Sequence, residues 1–150
     1  MITLPEAIEA IVTSCEVCTV GMTDKDNLPY VLPFNFGFEN NTVYLHSAPI
    51  GRKIDILKQK PAVCIAFSNA HELYKQSDDV ACSYGMRYKS VIVKGKVEFI
   101  EDFDEKIRIL NIIMKQYTKR DNFVYSTPAV KGVTVMRVVA ESIEAKAFGY

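Results

Sequence analysis

The residues with the clearest chemical potential lie in the stretch 43–57, VYLHSAPIGRKIDIL, where a strand-like pattern passes into a helical one. Arg52 and Lys53 stand side by side in the first turn of the helix predicted at 50–59. The amino end of a helix is partly positive, so each cation there costs about 0.3–1 kcal/mol unless something compensates. A phosphate would compensate, because free backbone N–H groups and cations at a helix start bind anions.

Two interpretations of this junction remain open from its residues alone. In the first, a phosphate is bound: Arg52 offers a bidentate fork, Lys53 a point charge and Ser47 a hydroxyl. Gly51 would let the backbone approach the anion closely. In the second, both cationic side chains point into water and the cost is tolerated. The junction matches no general phosphate-binding motif, so its residues do not decide between the two.

Four cysteines could form a metal or redox site, but their spacing argues against one. Cys15 and Cys18 have the two-residue separation of a redox pair or of half a zinc site. Cys64 and Cys82 do not supply the second pair that a tetrahedral site needs. They lie in apolar, strand-like runs, where cysteine behaves as a small hydrophobic residue. We therefore predict reduced, structural thiols and no metal site.

The composition is that of an ordinary globular protein and predicts one domain over 1–150, with 49% hydrophobic and 24% charged residues. The formal net charge is zero, which argues against a general nucleic-acid binder and requires any anion site to be local. No apolar run is long enough to span a membrane, and the amino terminus lacks the basic segment of a signal peptide. We therefore expect a cytoplasmic protein with neither a nucleic-acid nor a membrane partner.

Hydrophobic periodicity divides the chain into strands joined mostly by short turns, with helices at intervals. Helices are predicted at 3–15, with Thr3 as its N-cap, at 50–59 and at 102–118. The strands follow one another too closely for a doubly wound parallel sheet, so the predicted class is mainly β with helices, a β-barrel with appended helices. The predicted strands are 17–23, 30–38, 42–48, 62–68, 80–85, 89–100, 133–139 and 142–148, with loops at 69–79 and 121–131.

Two apolar patterns within these elements predict which side chains lie on the same face of a strand or helix. Alternation along 30–38 points one set of side chains in one direction. Helical spacing along 102–118 points one stripe of side chains toward the core. These sets are Tyr30, Leu32, Phe34, Phe36 and Phe38 in the strand, and Ile107, Leu110, Met114 and Tyr117 in the helix.

Residues 30–67 and 88–118 together resemble the flavin-binding split-barrel superfamily of pyridoxamine 5′-phosphate oxidase. The most specific pieces are the HSAxxGRK junction and the YxSV…G…EK block that precedes the long helix. Within the superfamily the resemblance is closest to the branch named for nitroimidazole-resistance (Nim) proteins. It implies a split β-barrel of Greek-key type and a homodimer with a flavin at the subunit interface. The flavin would usually be FMN, with FAD and deazaflavin as alternatives.

The resemblance also implies roles for individual residues. The strand before the junction would contact the flavin ring through its backbone, the junction would hold the phosphate, and a later strand would contribute from the second subunit. His46 would hydrogen-bond flavin or substrate as a catalytic residue, although it could instead fill space beside Tyr44. Tyr88 could instead pack against the barrel. The implied cofactor-binding residues are Val31, Leu32, Pro33, Asn35, His46, Ser47, Ala48, Arg52, Lys53, Tyr88 and Ser90.

The function implied by the resemblance is that of a flavin-dependent oxidoreductase acting on a small molecule. The Nim likeness makes reduction of a nitroimidazole to an amine its specific form. Two alternatives stay open: a flavin-binding carrier or sensor without turnover, and a barrel without a cofactor. The chain has no Trp and lacks the carboxy-terminal Trp-and-Arg motif of the vitamin B6 oxidases, so oxidation of that vitamin is disfavoured. The carboxy-terminal region has no His, which disfavours a role in haem utilisation.

Overall fold

The computed structural model describes all 150 residues and contains one seven-stranded sheet flanked by helices. In chain order the elements are α1 (Pro5–Thr13), β1 (Cys18–Thr23), β2 (Pro29–Phe34), β3 (Gly37–Glu39), β4 (Thr42–Ser47), α2 (Arg52–Gln59), β5 (Ala62–Tyr74), a 3₁₀ helix (Ala81–Ser83), β6 (Gly85–Ile100), α3 (Phe103–Thr118), α4 (Thr127–Lys131) and β7 (Thr134–Phe148). Every paired strand is antiparallel, and the spatial order is β2-β1-β5-β6-β7-β4-β3. Consequently β2 and β3 are the two edge strands of the sheet.

The core forms on the inner face of this curved sheet because alternate residues of each strand turn inward. In β6, for example, Val91, Val93 and Val97 are buried while their neighbours in sequence are more exposed. The rings of Phe36 and Phe67 meet edge to face in the main cluster, with centroids 4.9 Å apart. A second, smaller cluster lies under α3 and comprises Tyr44, Ile100, Ile109, Ile113 and Val135.

The predicted strand over 30–38 is in fact two strands, β2 and β3, with a break at 35–36. The break arises because the backbone N–H of Phe36 donates to the Tyr117 hydroxyl (3.0 Å) instead of to a neighbouring strand. At Gly37, a Cβ would lie 2.9 Å from Cγ2 of Ile112, so the absence of a side chain lets β3 approach α3. The predicted facing of the side chains is nevertheless confirmed, since the five named residues from Tyr30 to Phe38 are buried or half-buried and the intervening Val31, Pro33 and Asn35 are exposed.

The loop predicted at 69–79 is correct from residue 75 onward and wrong before it, because β5 continues to Tyr74 through a bulge. The register shifts between Asn69 and Glu72, and Ala70 adopts a left-handed conformation (φ 56°). The end of β5, residues 69–74, is polar because it is largely exposed where the strand extends past the barrel. The strand predicted at 80–85 is also wrong, since the chain there forms a 3₁₀ helix before β6 begins.

The two strands predicted at 133–139 and 142–148 are a single bulged strand, β7. Lys94 pairs with Ser142 while Gly95 pairs with Ala140, which leaves Glu141 as the extra residue. The loop predicted at 121–131 contains the short helix α4.

The first and last predicted helices are correct in place and wrong in detail. Leu4 rather than Thr3 is the N-cap of α1, and no side chain caps it. In α3 the buried residues are Lys106, Ile109 and Ile113 rather than the predicted stripe. The apolar residues of α3 lie on two sides of the helix. The sheet packs against the side that carries Ile109 and Ile113, not against the predicted side. The predicted stripe is half-buried at Ile107, Leu110 and Met114 and exposed at Tyr117.

The Tyr117 hydroxyl connects α3 to the β2–β3 break, since it accepts from the Phe36 N–H and donates to the Glu16 carbonyl (2.8 Å). We expect Tyr117→Phe to lower the free energy of unfolding by about 1–3 kcal/mol, because a part-buried N–H loses its acceptor. Denaturant unfolding monitored by circular dichroism measures the change. Tyr74→Phe, which keeps the ring that Arg87 covers, is the matched control. Equal stability of Tyr117→Phe and the wild type would contradict this role.

Candidate functional site

The start of α2 presents an open, uncapped helix end. Gly51, its N-cap, has φ 142°, a conformation that other residues rarely adopt, and no heavy atom lies within 4 Å of where its Cβ would be. The first intrahelical bond runs from the Asp55 N–H to the Gly51 carbonyl (3.1 Å), and no side chain caps the helix. The first-turn N–H groups are therefore available to an anion.

Both cations of the first turn lie over aromatic rings of β2. The guanidinium carbon of Arg52 is 4.3 Å from the Tyr30 ring centroid, and Nζ of Lys53 is 5.1 Å from that of Phe34. Each such contact is worth about 0.5–1 kcal/mol at an exposed site, similar to the cost of a cation at a helix start. The two cations therefore do not simply point into water, and their position is compensated within the chain. The charge pattern alone does not require a phosphate.

Asp24, in the turn between β1 and β2, is a residue of this site that the sequence analysis missed. Its Oδ1 accepts the backbone N–H groups of Asp26 and Leu28, each at 2.9 Å. Its Oδ2 lies 3.9 Å from an Arg52 guanidinium nitrogen. The hydrogen bond from Leu28 is the main cause that lowers the pKa of the Asp24 carboxyl, and the Arg52 charge adds to it. The available signal was the turn sequence DKDNLP, which begins with a residue that favours such turns.

The outer edge of β2 carries backbone groups that no strand pairs. The Asp24 N–H donates to the Leu28 carbonyl (2.9 Å), and successive residue pairs in an antiparallel ladder alternate between bonded and non-bonded. Applied to the register of β1 with β2, this alternation directs Leu32 toward β1 and Val31 away from it. Pro33 falls on a non-bonded position, where a missing N–H costs nothing. A proline inside a strand fits this position, since β2 is an edge strand of the sheet.

His46 lies in β4, half-buried, opposite Val135 of β7. Burial is the main cause that lowers the pKa of its imidazole below the usual 6.5, and the positive charge of Lys53 lowers it further. The imidazole is therefore neutral at pH 7 and offers one hydrogen-bond donor and one acceptor. Next along the strand, the buried Ser47 hydroxyl donates to the carbonyl of Ala48 (2.8 Å).

The family model for pyridoxamine 5′-phosphate oxidase matches residues 5–147 of the chain. The chain belongs to this family. Its predicted fold class, the flavin-binding split barrel, is thereby confirmed, and the open antiparallel sheet with its helices agrees with it.

Solved structures share the fold. A proposed 5-nitroimidazole antibiotic resistance protein from Bacteroides thetaiotaomicron VPI-5482 is 48% identical, with a TM-score of 0.88 over 98% of this chain and 86% of that one. The flavocytochrome Anf3 from Azotobacter vinelandii (20% identity, TM-score 0.80, 98% and 68% covered) shares the fold. So does an FAD and heme binding protein from Mycobacterium smegmatis (14% identity, TM-score 0.85, 99% and 73% covered). No curated protein matches the chain.

Within this member of the pyridoxamine 5′-phosphate oxidase family, the predicted site residues fall into two groups. One group lies around the start of α2 and the β2 edge: Val31, Leu32, Pro33, Asn35, His46, Ser47, Ala48, Arg52 and Lys53. The other group, Tyr88 and Ser90, lies on β6, which β1 and β5 separate from β2 in the sheet. The fold of one chain therefore does not place β6 beside the β2 edge.

The surroundings of Tyr88 and Ser90 show a surface of their own. The Tyr88 ring stacks on that of Phe148, with centroids 5.7 Å apart and an interplanar angle of 19°. Lys146 extends its Nζ to 5.6 Å from the Tyr88 ring centroid. Ser90 and Lys146 also line a cavity of about 320 Å³, together with Glu144. Tyr88 therefore packs against this chain and is also half-exposed, so both of its predicted roles remain compatible with the fold.

A cavity of about 510 Å³ lies beside α2, but its lining does not suit a planar aromatic ring. Ile56 is its one apolar residue among eight, and Asp24, Asp26 and Asp55 contribute carboxylates. Ligand pockets for aromatic groups are mostly apolar. No group of three His, Cys, Asp or Glu side chains forms an arrangement that could hold a metal ion. No helix has both the length and the apolar character needed to cross a membrane.

The cysteines divide into two buried and two exposed thiols. Burial raises the pKa of the Cys18 thiol to about 12 and also raises that of Cys15, so both stay protonated at neutral pH. This agrees with the prediction of structural thiols at these two positions. Cys64 lies in a strand as predicted, but the expectation that Cys64 and Cys82 behave as small hydrophobic residues is wrong, because both are exposed. Cys64 points outward from β5, and Cys82 lies in the 3₁₀ helix.

Thiol titration tests this division. We expect Cys64 and Cys82 to react rapidly with a water-soluble disulfide reagent, because both are exposed. Cys15 and Cys18 should react only on unfolding, at least about 100-fold more slowly, because the thiolate is the nucleophile and burial disfavours it. The double variant Cys64→Ser with Cys82→Ser is the control and should leave two slow thiols. More than two fast thiols in the native wild type would contradict the assignment.

The neutral state of His46 predicts a pH-dependent stability. As pH falls through about 6.5, the unfolded chain binds a proton at this residue before the folded chain does, so the free energy of unfolding falls. Between pH 7.5 and 5.5 we expect the wild type to lose up to about 1 kcal/mol more than His46→Gln, solvent screening keeping the difference modest. Urea unfolding at both pH values measures this. His71→Gln, at an exposed position, should behave as the wild type, and an identical pH dependence in His46→Gln would contradict the lowered pKa.

Proposed function

We propose that the protein is a flavin-binding oxidoreductase that holds FMN between the start of α2 and the open edge of β2. The observation that carries the proposal is the uncapped, glycine-led start of α2, with Arg52 and Lys53 in its first turn. The family and the 48% identical relative, named as a proposed 5-nitroimidazole resistance protein, support a nitroimidazole-type compound as the substrate.

The start of α2 fits the phosphate of a flavin mononucleotide. Free N–H groups and the helix dipole attract a dianion, and the open space at Gly51 admits it close to the backbone. The Arg52 side chain is 64% exposed, so its guanidinium has donors free beyond those directed toward Asp24. Lys53 would contribute a second charge. FAD has a phosphate at the corresponding position, so the same residues would serve either flavin.

The edge of β2 fits the ring. A flavin ring carries hydrogen-bond donors and acceptors along one side, and Val31 presents both an N–H and a carbonyl away from β1. Pro33 adds a carbonyl only. Leu32 directs its backbone groups to β1 and would contribute its side chain. Bound flavin would supply the redox chemistry, and the chain would bind it, orient it and limit the access of water.

His46 is the proposed catalytic residue because it is the titratable group next to Lys53 that is neutral at pH 7. A neutral imidazole can hold a proton at one ring nitrogen and deliver it to a substrate oxygen or nitrogen. Reduction of a nitro group to an amine takes up protons together with electrons from an external donor such as NAD(P)H, so a proton donor has a use there. The alternative is a flavin-binding carrier or sensor, and it is favoured if the purified protein shows no turnover above free FMN.

We also propose a homodimer, because the fold leaves Tyr88 and Ser90 apart from the β2 edge. A second copy could bring its β6 to the first copy's flavin.

Flavin binding tests the proposal directly. The purified protein should show flavin absorption at roughly 370 and 450 nm or acquire it with FMN. Arg52→Ala with Lys53→Ala should weaken FMN binding about 30-fold or more, since each removes a charge-assisted contact. The measurement is quenching of flavin fluorescence on titration.

The matched control is Lys115→Ala with Lys131→Ala, which removes two exposed charges from α3 and α4. It should bind FMN as the wild type does. FMN affinity within about threefold of wild type in the Arg52 and Lys53 double variant would overturn the phosphate assignment.

A further inference from the structure

We propose that Asp24 is a positioning residue for phosphate binding. Together with the Tyr30 ring, it holds the Arg52 guanidinium at the start of α2, where Arg52 can meet a phosphate. The inference rests on the proposed function and assigns a role to the β1–β2 turn, which belongs to neither of the two elements that would contact the flavin.

Asp24 is fixed by its own turn and does not depend on Arg52 for its position. Oδ1 accepts two backbone N–H groups at 2.9 Å, from Asp26 and Leu28, and the Asp24 backbone closes the turn with Asn27 (3.0 Å) and Leu28 (2.9 Å). Asn27 adopts the left-handed conformation that this turn needs (φ 61°). The Asp24 side chain is only 13% exposed. Its second oxygen, Oδ2, therefore points from a rigid base toward Arg52.

Arg52 is the mobile member of the pair. Its side chain is long and 64% exposed, so in isolation it would occupy many rotamers. The Tyr30 ring lies on one face of its guanidinium at 4.3 Å, and Asp24 stands beside it at 3.9 Å. Two contacts from different directions restrict the guanidinium to one region without saturating its five N–H donors. A phosphate would then bind a group that is already placed.

Positioning of Arg52 by Asp24 and plain repulsion of the phosphate by Asp24 predict opposite changes in phosphate affinity when Asp24 is neutralised. A carboxylate near an anion site repels the anion, so removal of the Asp24 charge alone would tighten phosphate binding. If Asp24 acts by positioning, its loss weakens binding despite that gain. Asp26 is a nearby exposed carboxylate that has no contact with Arg52 and reports the charge effect separately. Lys60, another cation near the turn, is held by the Asn27 side chain.

The experiment measures dissociation constants of FMN and riboflavin for the wild type, Asp24→Asn, Arg52→Ala and the double variant. Asparagine keeps an oxygen that accepts the turn N–H groups, so the turn is retained. We expect Asp24→Asn to weaken FMN about 3- to 10-fold and to change riboflavin, which lacks the phosphate, less than about twofold. In the Arg52→Ala background the same substitution should leave riboflavin affinity unchanged and should leave FMN affinity unchanged or slightly higher, because only the repulsion by the Asp24 charge is then removed. Asp26→Asn should leave FMN affinity unchanged or slightly higher.

Unchanged or tighter FMN binding in Asp24→Asn would overturn the inference. An equal weakening in the Arg52→Ala background would also overturn it, because Asp24 would then act by another route. Equal losses for FMN and riboflavin would show a structural effect of the turn and overturn it as well. Failure of the proposed function has a different signature, since the wild type would then bind neither FMN nor riboflavin.

Discussion

The contact between the first turn of α2 and the inner face of β2 is the constraint on which the candidate site depends. Arg52 and Lys53 are neighbours in sequence, and each lies over a ring of the same strand, Tyr30 or Phe34. This arrangement places the open end of a helix beside an open strand edge. The candidate anion site and a row of unpaired backbone groups therefore lie next to each other. The combination suits a ligand that has a charged end and a flat, polar-edged ring.

Contacts at both ends of β2 hold the strand at this position. The Asp24 turn sets the register of β1 with β2, and hence which residues face outward. At the other end of β2, Tyr117 from α3 takes the N–H of Phe36 and ends the strand. The Gln116 side chain donates to the carbonyls of Thr13 and Cys15, which fixes the same helix to the end of α1. One edge strand is thus held by a turn at one end and a distant helix at the other.

The class of fold could be predicted from the sequence because it depends on local signals, whereas the site at the GRK junction stays a prediction. Hydrophobic alternation located most strands, and the GRK junction located the start of α2. The break after Phe34 was not predictable, since it depends on a hydroxyl 81 residues away. The bulges at Ala70 and Glu141 look like the ends of strands in the sequence, because a bulge interrupts the alternation as a loop does. Asp24 was missed because its contact with Arg52 exists only once α2 packs on β2.

The prolines of β2 have a consequence for the behaviour of the protein in concentrated solution. An open strand edge is a template on which other chains can add strands and begin to aggregate. Here Pro29 and Pro33 occupy the outward-facing positions on either side of Val31, so this edge offers a single N–H donor over five residues. A continuous ladder with a foreign strand cannot form on so few donors. The edge can thus stay open to a small ligand while it remains closed to another polypeptide.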